Sequence, residues 1–262
     1  MKSFRWSVIP LILLAFGLNS LFSGCDAVCV NGEGNTVIVS RQVGNFSEIN
    51  FGTEGTVYVT QGSETSLTIE AQQNVIDDLI TEVHGNELEI YNDHCLRDHV
   101  PMIIRITTPD ISALIMSGSG DMILTGKVNT GSLSLVISGS GSIQAQDTVF
   151  ASAVKLTESG SGFINVLAEC ENATTVISGS GEVTLNGHAT DQHITISGSG
   201  GFYGFGFVTD ATTVEVSGSG LAEVFANLML NVSISGSGSV YYKGNPSVTA
   251  NISGSGEVVN AN

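Results

Sequence analysis

Ile194-Thr-Ile-Ser-Gly-Ser-Gly-Gly-Phe202 carries the pattern that decides the fold. Two apolar residues, Ile194 and Ile196, flank a polar one. Ser-Gly-Ser-Gly follows, and the apolar alternation resumes at Phe202. The same tetrapeptide begins at Ser117, Ser138, Ser159, Ser178, Ser197, Ser217, Ser235 and Ser253, at spacings of 21, 21, 19, 19, 20, 18 and 18 residues. A period near twenty, held over eight copies, marks a stacked repeat architecture.

Aligned on the tetrapeptide, the repeats form columns. Met116, Ile137, Glu158, Ile177, Ile196, Val216, Ile234 and Ile252 immediately precede it. Two places earlier stand Leu114, Leu135, Leu156, Thr175, Ile194, Val214, Val232 and Ala250, with mixed and often polar residues between the columns. After the tetrapeptide an apolar column resumes at Met122, Ile143, Ile164, Val183, Phe202, Ala222, Val240 and Val258. This is strand alternation with one face buried. If the period of two runs unbroken through the motif, both glycines face inward, where the backbone comes close to a neighbour or turns a corner. Both serines then face out as exposed ladders. Glu158 breaks an apolar column: it either bulges outward or is buried there, and a local bulge is the simpler account.

Twenty residues supply two or three short strands and their corners, one coil of a β-helix. The fold class expected is all-β: a single-domain parallel β-helix, or solenoid, with coils of 18–21 residues and right-handed crossovers. Abundant Val, Ile and Thr and only 13% charged residues agree with it. Before the repeats, alternating runs at 36–40, 46–51, 56–60, 66–70, 87–91 and 102–107 read as strands. Residues 74–80 read as the one helical turn, capped by Asn74, and 92–100 as a polar loop. The expected organisation is a signal segment over 1–24, a tether over 25–35, a β-rich part over 36–110 and the repeats over 111–262, the last two continuous.

Lys2 and Arg5 precede an apolar run over 8–16, too short to span a bilayer as an ordinary helix. Leu21-Phe-Ser-Gly-Cys25 then resembles a bacterial lipobox, in which the cysteine receives a diacylglycerol and becomes the mature N-terminus. Cys25 is thus the expected lipidation site, and the membrane a partner through that anchor. Loss of 1–24 leaves 6 basic against 25 acidic side chains. That balance excludes nucleic acid as an electrostatic partner.

Three further cysteines allow three single bridges in an oxidising compartment. Cys29 and Cys95, both before the repeats, are the favoured pair, with Cys170 left as a buried thiol.

Arg41-Gln-Val-Gly-Asn-Phe46-Ser-Glu-Ile49-Asn50, Val57-Tyr-Val-Thr-Gln61-Gly62 and Ser66-Leu-Thr-Ile-Glu70-Ala71, followed by serial Ser-Gly-Ser-Gly, resemble the putative auto-transporter adhesin, head GIN domain family. The resemblance covers roughly 36–260. It implies a β-helix and an extracytoplasmic, often lipid-anchored, protein, and it brings no catalytic residues.

No catalytic set is legible. Ser-Gly-Ser-Gly lacks the following helix that a phosphate loop requires. His94-Cys95-x-x-x-His99, with Asp93 and Asp98, has metal-ligand chemistry, but a polar loop with a bridged cysteine accounts for it, so no metal and no cofactor are expected. Asp121, Glu182, Glu215, Glu223 and Glu257 read as outward carboxylates in different columns and coils, without the convergence a glycosidase needs. Tyr203, Tyr241 and Tyr242 are candidate glycan contacts, near Phe205 and Phe207. Asp147-Thr148-Val149 resembles a short bacterial O-glycosylation acceptor, with Thr148 as the acceptor. The last coil exposes an unpaired edge, which invites end-to-end self-association. The function expected is a non-catalytic cell-envelope lipoprotein, periplasmic or at the cell surface and held at the outer membrane. It would act as an adhesin-like binding or scaffold module for a glycan or protein ligand. A carbohydrate-active enzyme on the same fold and a self-assembling scaffold are the alternatives.

Overall fold

The computed structural model describes residues 29–262. The expected signal segment and Cys25 lie outside the described residues. Strand accounts for 68% of the chain and helix for 3%, and the parallel coils stack into a β-solenoid of about 7 turns. Register runs column on column: Glu48–Phe51 pairs with Ala113–Met116, which pairs with Val128–Ile137, and so on in parallel to Ser247–Gly254.

Burial follows the alternation read from sequence. In the seven motifs from Ser117 to Ser235 both serines are exposed, the first glycine is half-buried and the second is buried. Each glycine answers to a neighbour. A Cβ on the first glycine of a motif, as at Gly139, would land on the carbonyl oxygen of the matching glycine one coil earlier, Gly118. At the second, the side chain before the preceding motif occupies the space: Ile137 Cγ2 would lie 2.6 Å from a Cβ on Gly162, and Val216 Cγ1 2.5 Å from one on Gly238. The motif is a packing device in which the last apolar side chain of one coil seats on the backbone of the next.

Glu158 does not bulge outward. It is wholly buried in the apolar column, where its Oε1 accepts hydrogen bonds from the Gly160 and Gly162 amides at 2.9 and 3.1 Å. Its Oε2 has no partner. The two free N–H groups of its own corner hold the carboxylate in, a compensation the outward reading left out.

The N-terminal end of the solenoid has a different topology. Thr36–Arg41 pairs antiparallel with Ser66–Gln72, which pairs antiparallel with Ile103–Thr108, and Leu79–His84 pairs antiparallel with Glu87–Asn92. A short helix, Gln73–Asp78, buries Val75 and Ile76 beneath this layer. Its N-cap is Gln72 and makes no side-chain cap bond. Asn74, expected as the cap, instead donates to the Asn31 carbonyl and accepts from the Glu33 amide. The segment expected as a tether is partly fixed: Val30–Asn31 pairs with Leu96–Arg97.

Candidate functional site

Outward positions on the strands after each motif bring the candidate tyrosines together. The third residue after the motif forms one column, in which Thr184, Tyr203, Glu223, Tyr241 and Val259 stack in successive coils. The first residue after the motif forms the next outward column: Glu182, Gly201, Leu221, Ser239 and Glu257. Three carboxylates therefore flank two tyrosines on one face. Glu182 and Glu257 share a column but stand four coils apart, and Glu223 lies in the other column, so the three carboxylates border the tyrosines without converging on one point.

Tyr203 lies along the face rather than standing from it. A Cβ on Gly201 would fall 2.9 Å from its Cε2 and 3.0 Å from its Oη, so a bare backbone beneath the ring is what lets it lie flat. Partial burial first, and then the charges of Glu182 and Glu223, push the Tyr203 phenol above its ordinary pKa of 10.0. The O–H remains a donor at neutral pH. Tyr241 stands two coils on, roughly 10 Å away at the usual strand spacing, with its Oη 3.3 Å from the Glu257 carboxylate.

Tyr242 leaves the group. As the neighbour of Tyr241 in one strand it points to the opposite side and packs against the hydrophobic core. Phe202 and Phe207 are fully buried, and Phe205 lies under the Lys243 ammonium at 4.4 Å. A flat ring flanked by carboxylates presents an apolar face to a sugar ring and acceptors to its hydroxyls.

A second polar feature lies beside the first motif. A cleft of about 440 Å³ is lined by Thr53, Glu54, Asn92, Asp93, His94 and Ser119 among others. Its loop is pinned from several directions. Cys95 is bonded to Cys29, His94 Nδ1 lies 2.6 Å from Asp78, and His99 Nε2 lies 3.1 Å from Glu54. The two histidines thus face different carboxylates rather than one another. The hydrogen bond to Asp78 raises the pKa of half-exposed His94, outweighing its small desolvation. Burial of Asp78 works to raise its carboxyl pKa, but the bonds it accepts from His94 and Asn92 hold the carboxyl below its ordinary value.

Cys170 is free and half-buried rather than buried, and burial with the nearby Glu169 charge pushes its thiol up to about 11. Thr148 sits at a break in strand register, half-buried, its amide bonded to Asp147.

A comparison with curated proteins finds no match. Among solved structures, the chain is similar to a putative lipid binding protein from Parabacteroides distasonis, at 25% identity over 89% of this chain and 99% of that one, TM-score 0.84. A putative adhesin from the same organism matches at 24% identity over 88% and 98%, TM-score 0.82. A putative adhesin from Parabacteroides merdae matches at 19% over 89% and 99%, TM-score 0.81. These are names of adhesins and binding proteins, none of an enzyme. The family described as putative auto-transporter adhesin, head GIN domain, matches residues 45–246, and the chain belongs to it.

Proposed function

We propose that this protein is an exported, non-catalytic lipoprotein, anchored through a diacylglycerol on Cys25, whose solenoid holds a glycan-binding strip away from the membrane. The strip is formed by Tyr203, Tyr241, Glu182, Glu223 and Glu257. The observation that carries the reading is the flat Tyr203 ring over Gly201 between two carboxylates. The adhesin family and the adhesin-named structures support an exported binding module, and the lipobox-like Leu21–Cys25 supports the anchor.

Sugar recognition suits the strip because stacking on an aromatic face needs no deep pocket, and carboxylates supply acceptors that ring hydroxyls satisfy. The strip lies in sheet strands, which hold its geometry without a hinge. Thr148, at its register break, is proposed as an O-glycan acceptor on the protein itself, with Asp147 preceding it. The intact mass of the native protein tests both modifications together.

A glycan array probed with the protein tests the binding reading. Binding to one structural group of saccharides, competed by that saccharide in solution, is the expected result. A blank array, together with capture of an envelope protein by the same preparation, would replace the glycan with a protein ligand.

A further inference from the structure

Cys29, the first described residue, is fixed to the body of the protein. It is bonded to Cys95, and Val30–Asn31 pairs with Leu96–Arg97. The Asn31 carbonyl accepts from Asn74 and the Gly34 carbonyl from Gln72. The chain therefore enters at the N-terminal end of the solenoid, beside the strand Thr36–Arg41 and the helix Gln73–Asp78. Asp26, Ala27 and Val28 separate Cys29 from Cys25. Fully extended, the steps between the two cysteines reach at most about 14 Å. With Cys25 as the lipidated residue, the body stands on the bilayer rather than on a free stalk.

The outermost strand at that end is apolar and carries no carboxylate. Among the described residues Thr36–Arg41 pairs on one side only, with Ser66–Gln72, and its Val37 and Ile38 are 37% and 68% exposed. Val100, whose amide donates to Gln72 Oε1 beside Thr36, is 46% exposed. Arg41, the one charged residue of the strand, donates to the Ile76 and Leu79 carbonyls and to Thr81, and so is turned away from solvent. A chain of formal charge −17 gains nothing electrostatic from an anionic leaflet. What this end offers a membrane is apolar side chains.

We propose that this end is a bilayer contact: Val37, Ile38 and Val100 dip into the surface of the membrane that holds the acyl chains of Cys25, and the solenoid rises from it. The inference rests on the lipid-anchor reading. The contact is shallow, because the outer N–H and C=O groups of Thr36–Arg41 find partners among hydrated headgroups and none in hydrocarbon. Orientation follows from the pairing. From Thr36–Arg41 the sheet runs through Ser66–Gln72, Ile103–Thr108, Thr56–Gln61, Asp121–Thr125, Ser142–Glu158, Phe163–Glu169 and Glu182–Ile196 to Gly201–Gly218. Those strand spacings, each about 4.8 Å, set Tyr203 roughly 38 Å from the contact and clear of the headgroups.

Loss of 1–24 removes the only tryptophan, Trp6, so a single introduced tryptophan reports its own depth. The acylated protein, purified from its host, is placed in vesicles of phosphatidylcholine brominated on the acyl chains. Ile38→Trp and Val100→Trp should each lose about half the emission seen in plain phosphatidylcholine, as side chains roughly 5–10 Å inside the headgroup boundary would. Leu167→Trp, at an exposed position of Phe163–Glu169, should lose none. Vesicle-bound protein in which neither Ile38→Trp nor Val100→Trp is quenched would overturn the contact and leave the anchor standing. Equal quenching of Leu167→Trp would overturn the upright orientation. An intact mass without acyl chains on Cys25 would remove the anchor reading and the contact with it.

Discussion

Ile177 seats on Gly200 so closely that a Cβ on the glycine would fall 2.5 Å from the Ile177 Cγ2 and 2.6 Å from the Gly181 carbonyl oxygen. Neither neighbour has room to withdraw, since the first fills the core and the second is part of the stacked backbone. Gly200→Ala should therefore destabilise the solenoid by about 1–3 kcal/mol through overpacking. Ser199→Ala, an exposed change one residue away, should stay within about 0.5 kcal/mol. Chemical denaturation of the two variants checks the contrast.

Glu158 holds a position that apolar side chains fill in the adjacent coils, Ile137 before it and Ile177 after it. Its unpartnered Oε2 costs about 1–3 kcal/mol. Glu158→Ile should raise stability by a similar amount, less what the Gly160 and Gly162 amides lose with their acceptor. Glu158→Ala should lower it, because it removes the acceptor and leaves a void. Thermal midpoints of the pair should move in opposite directions.

The His94–Asp78 bond predicts a pH dependence of defined sign. His94 has a folded pKa above its ordinary 6.5, so its contribution is complete below pH 6.5 and fades as pH rises through the raised value. Asp78 has a folded pKa below its ordinary 3.8, so its contribution is complete above pH 3.8 and fades as pH falls through the lowered value. The stability difference between the native protein and His94→Gln should be largest between these limits and shrink on either side. Thermal melts across pH 3 to 8 measure it.

The Cys29–Cys95 bond closes a separation of 66 residues. Its reduction should cost about 2–5 kcal/mol and speed hydrogen exchange in Val30–Asn31 and Leu96–Arg97, the two-stranded pair beside it. The coils beyond Ser117 should keep their protection.

Period, strand direction and the inward glycines were legible because each column repeats eight times. Single occurrences were harder. For Glu158 the sequence admits a bulge or burial, and only the structure shows the two amides of its own corner that satisfy it inside. Tyr241 and Tyr242 look alike as candidate contacts in the sequence, but neighbours in a strand face opposite sides and Tyr242 packs against the core. That Glu182 and Glu257 share a column follows from counting both as the first residue after a motif, but four coils separate them. The N-terminal layer has no repeat to read: the helical turn expected over 74–80 takes in Leu79 and Ile80, the first residues of the strand Leu79–His84, because Ile76, Leu79 and Ile80 also fit a helical spacing.

Sugar binding by the glycan strip turns on the exposed face of Tyr203. Affinity for the strongest saccharide on the array, measured by titration calorimetry, tests it most directly when Tyr203→Ala is set beside Phe150→Ala, which removes an exposed ring in a different column. Tyr203→Ala should bind about tenfold more weakly, and Phe150→Ala should bind unchanged. Unchanged affinity in a folded Tyr203→Ala protein would contradict it.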